Sequence, residues 1–215
     1  MNSSIEFDVD LIQRYDLAGP RYTSYPTAVQ FHNQFDETEY LQAIHDSNAS
    51  QRPLSLYVHL PFCGTVCYYC ACNKIITANR KRASPYLDDL HQEIELQAAR
   101  FTEKRPVSQL HFGGGTPTFI SDDEITCLMN KLRQHFYLLE EDKGDYSIEI
   151  DPREVTPAKI VLLRQLGFNR MSFGVQDFDP KVQVAVNRIQ SLEQTAAAVD
   201  AARASGFHSI NIDLI

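Results

Sequence analysis

From Leu54 to the last residue the chain keeps one rhythm, and that rhythm constrains the fold more than any other feature. Short β-leaning runs alternate with helical stretches. "LSLYVHL" (54–60), "VSQLHF" (107–112), "YSIEI" (146–150), "RMSFGV" (170–175) and "HSINIDLI" (208–215) read as five strands. In "SPYLDDLHQEIELQAARF", Tyr86, Leu87, Leu90, Ile94, Ala98 and Phe101 recur at helical spacing, with Ser84 expected as N-cap and Pro85 at the first helical position. Ser121 and Glu124 form a capping box ahead of a helix bearing Ile125, Leu128, Met129, Leu132 and Phe136. Thr156-Pro157 opens another helix, which Gly167 ends, and an Ala-rich helix spans about 191–205 before Gly206. Strand, helix, strand in repetition implies a mainly parallel sheet covered by helices. An open doubly wound sheet and a β/α barrel both satisfy this order.

Both architectures place working groups at the C-terminal ends of the strands. Chemistry gathers there. Cysteines follow the first strand and Gly113-Gly114-Gly115 the second. Glu149 lies near the end of the third, Gln176 just beyond the fourth and Asp213 near the end of the fifth. The fifth strand has no helix after it, and a closed barrel typically takes ~250 residues. The chain is therefore expected to be the N-terminal part of a longer protein or a truncated gene product, with an exposed strand edge. Residues 1–53 read as an arm, with a short helix around Glu37–His45 whose apolar side is Phe35, Tyr40 and Ile44; residues 54–215 read as the strand–helix domain.

The formal charge of -8 argues against nucleic acid as a partner. No run approaches the ~18 apolar residues of a membrane helix, so no membrane insertion is expected. The acidic start "MNSSIEFDVD" has no secretory h-region, which points to the cytoplasm and reduced thiols. The cysteines then matter as ligands. In "FCGTVCYYCACNK", Cys63, Cys67 and Cys70 are spaced CxxxCxxC, with Cys72 one alanine further on. Zinc is one reading, but four-coordinate zinc would need Cys70 and Cys72 to bend back onto one ion. An iron–sulfur cube has four iron corners, normally held by four thiolates. Three thiolates leave one corner open to a small molecule.

CxxxCxxC after the first strand of a β/α repeat resembles the radical S-adenosylmethionine (SAM) superfamily. Together with "GPRYTSYPT", "LYVHLPFC", "CYYCACNK", "HFGGGTPT", "SIEIDPRE", "FNRMSFGVQDF", "VNR" and "NIDLI", it resembles the oxygen-independent coproporphyrinogen III oxidase family from about Asp10 to the end. The resemblance implies a partial (β/α) barrel, α/β in class, truncated after about five strands and preceded by the arm. It implies a 4Fe–4S cluster held by Cys63, Cys67 and Cys70, with SAM at the open iron, two SAM molecules in all, and a 5′-deoxyadenosyl radical. The radical would take hydrogen from two propionates of coproporphyrinogen III, a tetrapyrrole, and loss of CO2 would leave the vinyl groups of protoporphyrinogen IX in haem biosynthesis. A flavodoxin or ferredoxin would supply electrons, and the protein would be a monomer.

By the same resemblance, Tyr57, Tyr69, Gly114, Gly115, Thr116 and Glu149 are expected against SAM, and Gln176, Arg188 and Asp213 against a second SAM. Read from residue type alone, Tyr57 is equally a core tyrosine, Glu149 and Asp213 equally partners of an arginine, and Arg188 a solvated helix-end residue. Arg21 and the run Asn79–Ser84 are candidates to face substrate carboxylates. His59 and His111 are candidate acid/base groups or satisfied core histidines. Cys72 has no implied role. Haem-chaperone-like members of the superfamily share the cysteines and the glycine run but usually lack the arm and the extra cysteine; they, and an inactive fragment, are the alternative readings.

Overall fold

The computed structural model describes residues 8–16, 27–140 and 142–215. The stretch 17–26, and with it Arg21, lies outside the described residues. Contacts divide the chain into residues 1–43 and residues 44–215. In the first unit, α1 (Val9–Tyr15) starts where the Asp8 carboxylate accepts the Leu11 N–H at 2.9 Å, a cap that the sequence reading passed over. A single 3-10 turn follows at Ala28–Gln30. Then α2 (Glu37–Ser50) runs five residues beyond the expected His45 and has no buried residue; Phe35 precedes it and is exposed.

The second unit carries the sheet. In chain order its elements are β1 (Leu54–Leu60), β2 (Phe62–Cys63), β3 (Ile75–Ile76), α3 (Ala83–Ala98), β4 (Pro106–Gly114), α4 (Asp122–His135), β5 (Tyr137–Leu138), β6 (Asp145–Ile150), α5 (Pro157–Gln165), β7 (Arg170–Gln176), α6 (Pro180–Ala185), α7 (Leu192–Ala204) and β8 (Ser209–Leu214). The main strands pair in the order β1-β4-β6-β7-β8, all parallel, with β5 attached to β4. That order never reverses. Right-handed crossovers that always step the same way put every covering helix on one side, which is the arc of a β/α barrel; a doubly wound sheet reverses at a switch point.

The two faces differ in chemistry because side chains alternate along a strand. In β6 and β7 every second residue is buried. Ile148, Ile150, Met171, Phe173 and Val175 pack under the helices with Leu110, Phe112, Ile125, Leu128, Ile160 and Leu163. Burying each such side chain is worth about 1.5–3 kcal/mol. The intervening residues, among them His111, Ser147, Glu149 and Ser172, are polar and line the other face.

The helix starts follow their caps with one exception. Ser121 and Glu124 form both halves of the capping box, Thr156 caps α5 and Ser191 caps α7. Ser84 does not cap α3. A 3-10 turn at Arg80–Arg82, capped by the Asn79 side chain, runs directly into the helix, so Ser84 falls inside the first turn. The sequence reading also passed over α6, a helix of six residues between β7 and α7.

Candidate functional site

The cysteine loop runs between β2 and β3, which pair as a small two-stranded sheet of their own. Its neck is closed by β2 pairing with β3, by the Ile75 N–H on the Pro61 carbonyl at 2.7 Å and by the Thr77 N–H on the Cys63 carbonyl at 2.9 Å. Inside the loop the Cys70 N–H reaches the Cys67 carbonyl at 3.2 Å, and the Lys74 ammonium bonds the carbonyls of Cys70 and Cys72 at 2.7 and 3.3 Å. The far side of the loop is held by the segment after α6. Tyr68 N–H donates to the Val186 carbonyl at 3.0 Å, and the Asn187 amide donates to the Val66 carbonyl at 2.8 Å. The "VNR" residues thus grip the loop before any ligand is considered.

The glycine run meets the loop from the β4 side. A glycine run has no Cβ to keep its backbone N–H groups from approaching a ligand. In the structure those N–H groups are already engaged: Gly114 donates to Glu149 Oε2 at 3.2 Å, Gly115 to the Leu60 carbonyl at 2.9 Å and Thr116 to the Phe62 carbonyl at 2.8 Å. The missing Cβ at Gly115 serves a close backbone crossing instead, since a Cβ there would lie 2.7 Å from the carbonyl oxygens of Pro61 and Phe62. Phe119, just beyond the run, stacks on Phe62 with centroids 5.5 Å apart, so one buried ring pair fixes both loops.

Cys63, Cys67, Cys70 and Cys72 are free thiols, and all four line one cavity of ≈ 230 Å³. The same cavity is lined by Tyr69, Gly114, Gly115, Thr116, Glu149, Gln176, Arg188 and Asp213. Every residue expected to hold the cluster or SAM is therefore brought to this one place except Tyr57, while the candidates His59, His111 and Asn79–Ser84 lie off its lining. Tyr57 stands beside it on β1, 60% exposed, with its hydroxyl 2.9 Å from His59 Nδ1 and its ring stacked on His111 at 5.7 Å.

Both acidic residues have partners, and neither partner is an arginine. Glu149 Oε1 lies 3.2 Å from His111 Nε2, whose other ring nitrogen lies 2.6 Å from the Ser147 hydroxyl. Asp213 Oδ2 accepts from the Ser172 hydroxyl at 2.8 Å. His59 and His111 are each hydrogen-bonded through both ring nitrogens, His59 reaching the Asn73 carbonyl at 2.9 Å. Gln176 closes β7 with φ +72°, a left-handed conformation at the point where the register against β8 shifts. In the basic run, Arg80 is bonded to Glu154 at 2.7 Å and to the Phe119 carbonyl.

Arg188 is not solvated. It is 8% exposed and donates to the Gly174 carbonyl from Nε at 3.1 Å and Nη2 at 2.7 Å, and to the sulfur of Cys67 from Nη1 at 3.5 Å. Two neighbours escaped the sequence reading. Asp151, 7% exposed, pairs with Arg188 at 3.1 Å, and Arg153 brings Nη2 to 2.7 Å from Asp151 Oδ2 and 3.9 Å from the Cys67 sulfur. The signal for them was present in "DPRE": Asp151 caps the 3-10 turn Pro152–Glu154, which points Arg153 back at its own cap.

The cations act on the charges around them. Burial pulls the Asp151 carboxyl up, but the Arg153 hydrogen bond and the charges of Arg188 and Arg153 outweigh it and hold the carboxyl below its usual range. Burial pushes the Cys63 thiol up, with the Thr116 hydroxyl, 3.7 Å from its sulfur, pulling the other way. Burial also pushes the Tyr69 phenol up to about 12, against the opposing charge of Arg188. Tyr69 is therefore a neutral aromatic wall at physiological pH.

Against known proteins, the Radical SAM superfamily pattern matches residues 57–215. The chain belongs to the radical SAM superfamily. This radical SAM chain is 57% identical over 215 residues to oxygen-independent coproporphyrinogen III oxidase from Pseudomonas aeruginosa, covering 100% of the chain and 47% of that relative. It is 50% identical over 211 residues to the enzyme of that name from Escherichia coli K12, covering 98% of the chain and 45% of the relative. The solved structure of the radical SAM enzyme coproporphyrinogen III oxidase from Escherichia coli superposes with a TM-score of 0.83 at 48% identity, over 98% of this chain and 46% of that one. The chain spans about half the length of the curated relatives it matches. Among the described residues no helix is long and apolar enough to cross a membrane.

Proposed function

We propose that this chain forms the cluster and SAM sites of an oxygen-independent coproporphyrinogen III oxidase, which converts two propionates of coproporphyrinogen III to the vinyl groups of protoporphyrinogen IX. One observation carries the reading. Three free cysteines of a single loop line the same cavity as the glycine run, Glu149, Gln176 and Asp213, at the C-terminal ends of parallel strands.

The residues suit a 4Fe–4S cluster held by Cys63, Cys67 and Cys70. Among the described residues no three His, Cys, Asp or Glu side chains converge on one metal ion. A cluster with separate iron corners does not require such convergence. The buried surroundings supply donors to sulfur, from Thr116, Arg153 and Arg188, of the kind that steadies anionic thiolates. When bound, the cluster and SAM supply one-electron cleavage of a sulfonium and, through it, hydrogen-atom removal from the substrate.

The protein's own contribution is placement. Glu149, fixed between His111 and the Gly114 N–H, presents a carboxylate to the hydroxyls of the SAM ribose. Tyr57 and Tyr69 give aromatic walls, and Gly114, Gly115 and Thr116 form the edge on which the methionine part rests. Gln176 and Asp213, at the ends of β7 and β8, face a second SAM, with Arg188 at its inner limit. A flavodoxin or ferredoxin delivers the electron, and the protein works as a cytoplasmic monomer.

The test is anaerobic reconstitution with iron and sulfide, then SAM, a reductant and coproporphyrinogen III. The expected results are iron–sulfur absorption, methionine and 5′-deoxyadenosine from SAM, and CO2 with protoporphyrinogen from the substrate. Cys63→Ala, Cys67→Ala and Cys70→Ala each abolish the absorption, whereas Cys127→Ala, on exposed surface of α4, leaves it intact. SAM cleavage with haem binding and no CO2 would replace this reading with a haem-delivering one. One zinc ion per chain and no iron would end it.

A further inference from the structure

Of the three proposed cluster ligands, Cys67 has surroundings unlike those of Cys63. The Cys63 sulfur receives a neutral hydroxyl, from Thr116 at 3.7 Å. The Cys67 sulfur receives two guanidiniums, Arg188 at 3.5 Å and Arg153 at 3.9 Å. Two like charges converging on one point repel one another. Here Asp151 stands between them, taking Arg153 at 2.7 Å and Arg188 at 3.1 Å on the same oxygen, Oδ2. The other oxygen, Oδ1, accepts the Arg153 N–H and Nε, each at 3.0 Å.

We propose that Asp151, Arg153 and Arg188 form a cationic bracket on the Cys67 sulfur that raises the reduction potential of the cluster and slows loss of its iron. The inference rests on the cluster reading above and adds a role for three residues to it. The resemblance gives Arg188 to a second SAM; its bonds to the Gly174 carbonyl, Asp151 and Cys67 add a role toward the cluster end of the same cavity. The bracket carries two positive charges and one negative, a net cation. A cluster that gains an electron gains negative charge, and in a buried site a fixed cation with N–H donors on sulfur favours that more negative state. The three come from different parts of the barrel: Asp151 and Arg153 follow β6, while Arg188 follows α6 and is anchored on the Gly174 carbonyl of β7. The bracket therefore exists only when β6, β7 and the cysteine loop are assembled. Gly174 belongs to the same device, because a Cβ there would lie 3.0 Å from Arg188 Nη2. These are positioning residues, acting through Cys67.

The experiment compares the anaerobically reconstituted chain with Arg188→Gln, Arg188→Lys and Asp151→Asn, without SAM or substrate. The readouts are midpoint potential by EPR-monitored redox titration and the rate of iron loss to a chelator. Arg188→Gln is expected to titrate at a more negative potential and to release iron several-fold faster. Arg188→Lys restores the charge and most of the potential but not the fork, so its iron loss stays fast. Asp151→Asn, nearly the same shape, frees both guanidiniums and speeds iron loss. Potential and iron loss both at wild-type values in Arg188→Gln and Asp151→Asn would overturn the bracket while leaving the cluster reading intact. Absence of iron from the wild-type chain would bring down both. If circular dichroism shows Arg188→Gln unfolded, Arg188→Lys and Asp151→Asn decide on the same two readouts.

Discussion

Arg188 Nη1 lies 3.5 Å from the sulfur of Cys67, a residue 121 positions earlier in the chain. The same local segment supplies two further bonds, Tyr68 N–H to the Val186 carbonyl and the Asn187 amide to the Val66 carbonyl. Of residues 63–74 in this loop only Cys67 is buried, so the loop has little packing of its own with which to order itself. Its shape is imposed from outside, by a turn after α6 that arrives only once β7 has joined β6. Order in the cysteine loop is thus a consequence of assembling the sheet.

Asn187 tests this dependence directly. It adopts φ +54°, a conformation that costs an ordinary residue roughly 1–2 kcal/mol, and its side chain bonds the cysteine loop. Asn187→Ala is expected to lose both advantages and lower stability by about 1–3 kcal/mol, whereas Asn187→Gly keeps the backbone freedom and loses only the bond, about 1 kcal/mol. In both variants limited proteolysis should cut first within residues 64–74. Equal denaturation midpoints for the two would show that the left-handed turn contributes nothing.

Gly115 tests the crossing of the two loops. An added Cβ meets the Pro61 and Phe62 carbonyls at 2.7 Å, and both are backbone atoms that cannot swing aside. Gly115→Ala is expected to cost about 1–3 kcal/mol by overpacking, with the stacked Phe62–Phe119 pair disturbed. Chemical denaturation measures the first effect, and near-ultraviolet circular dichroism the second. A variant as stable as the wild type would mean the loops part at no cost.

Much of this architecture was legible because it is periodic. "YSIEI" alternates apolar and polar residues, which places Ile148 and Ile150 under helices and Ser147 and Glu149 on the open face. The capping box at Ser121 and Glu124 is a local signal and is realised locally. The misplaced cap at Ser84 shows the limit, since the 3-10 turn Arg80–Arg82, capped by Asn79 five residues before it, makes it redundant. Helix α6 is too short to display a period. Within the site, Cys63, Cys67, Cys70 and Glu149 could be placed because their residue types are conspicuous. Asp151 and Arg153 were legible only as a capped turn in "DPRE", because nothing local says that this acid and base face a sulfur. Their meaning comes from Arg188 and Cys67, which only the fold brings to them.

Asp142 gives a pH prediction at the opposite end of the strands. It joins Arg164 at 2.9 Å through Oδ1 and His208 at 3.3 Å through Oδ2. The Arg164 hydrogen bond, opposed by desolvation and helped by the charge of Arg164, holds its carboxyl below the usual range. With the folded value below the unfolded one, the stabilisation is present above about pH 4 and disappears as pH falls through the folded value. Asp142→Asn tolerates the residue's φ of +58° and should flatten this acid limb, at a loss of at most about 1 kcal/mol near neutrality, since the pair is partly exposed. Denaturant midpoints from about pH 2 to about pH 7 measure it. Curves that remain parallel across that range would remove Asp142 as the titrating group.

Lys159 supplies the complementary alkaline case. Its ammonium is buried, bonded to the carbonyls of Thr118 and Ile120 at 3.2 and 2.5 Å and paired with Asp122 at 3.2 Å. It thereby pins the turn after the glycine run onto α5. Desolvation lowers its pKa, and the attraction of Asp122 only partly opposes this. The folded value then lies below the unfolded value of about 10.4, so between the two the unfolded chain binds more protons. Stability should therefore rise with pH through that window and be flat below it. Lys159→Met fills the same space but leaves two buried carbonyls without a donor, a cost of about 1–3 kcal/mol at neutral pH. It also removes the titrating group, so the gap between variant and wild type should widen as pH approaches about 10.4. Urea denaturation of both proteins at a series of pH values gives the comparison. A gap that stays constant into the alkaline range would show that the Lys159 ammonium is as well accommodated in the fold as it is in water.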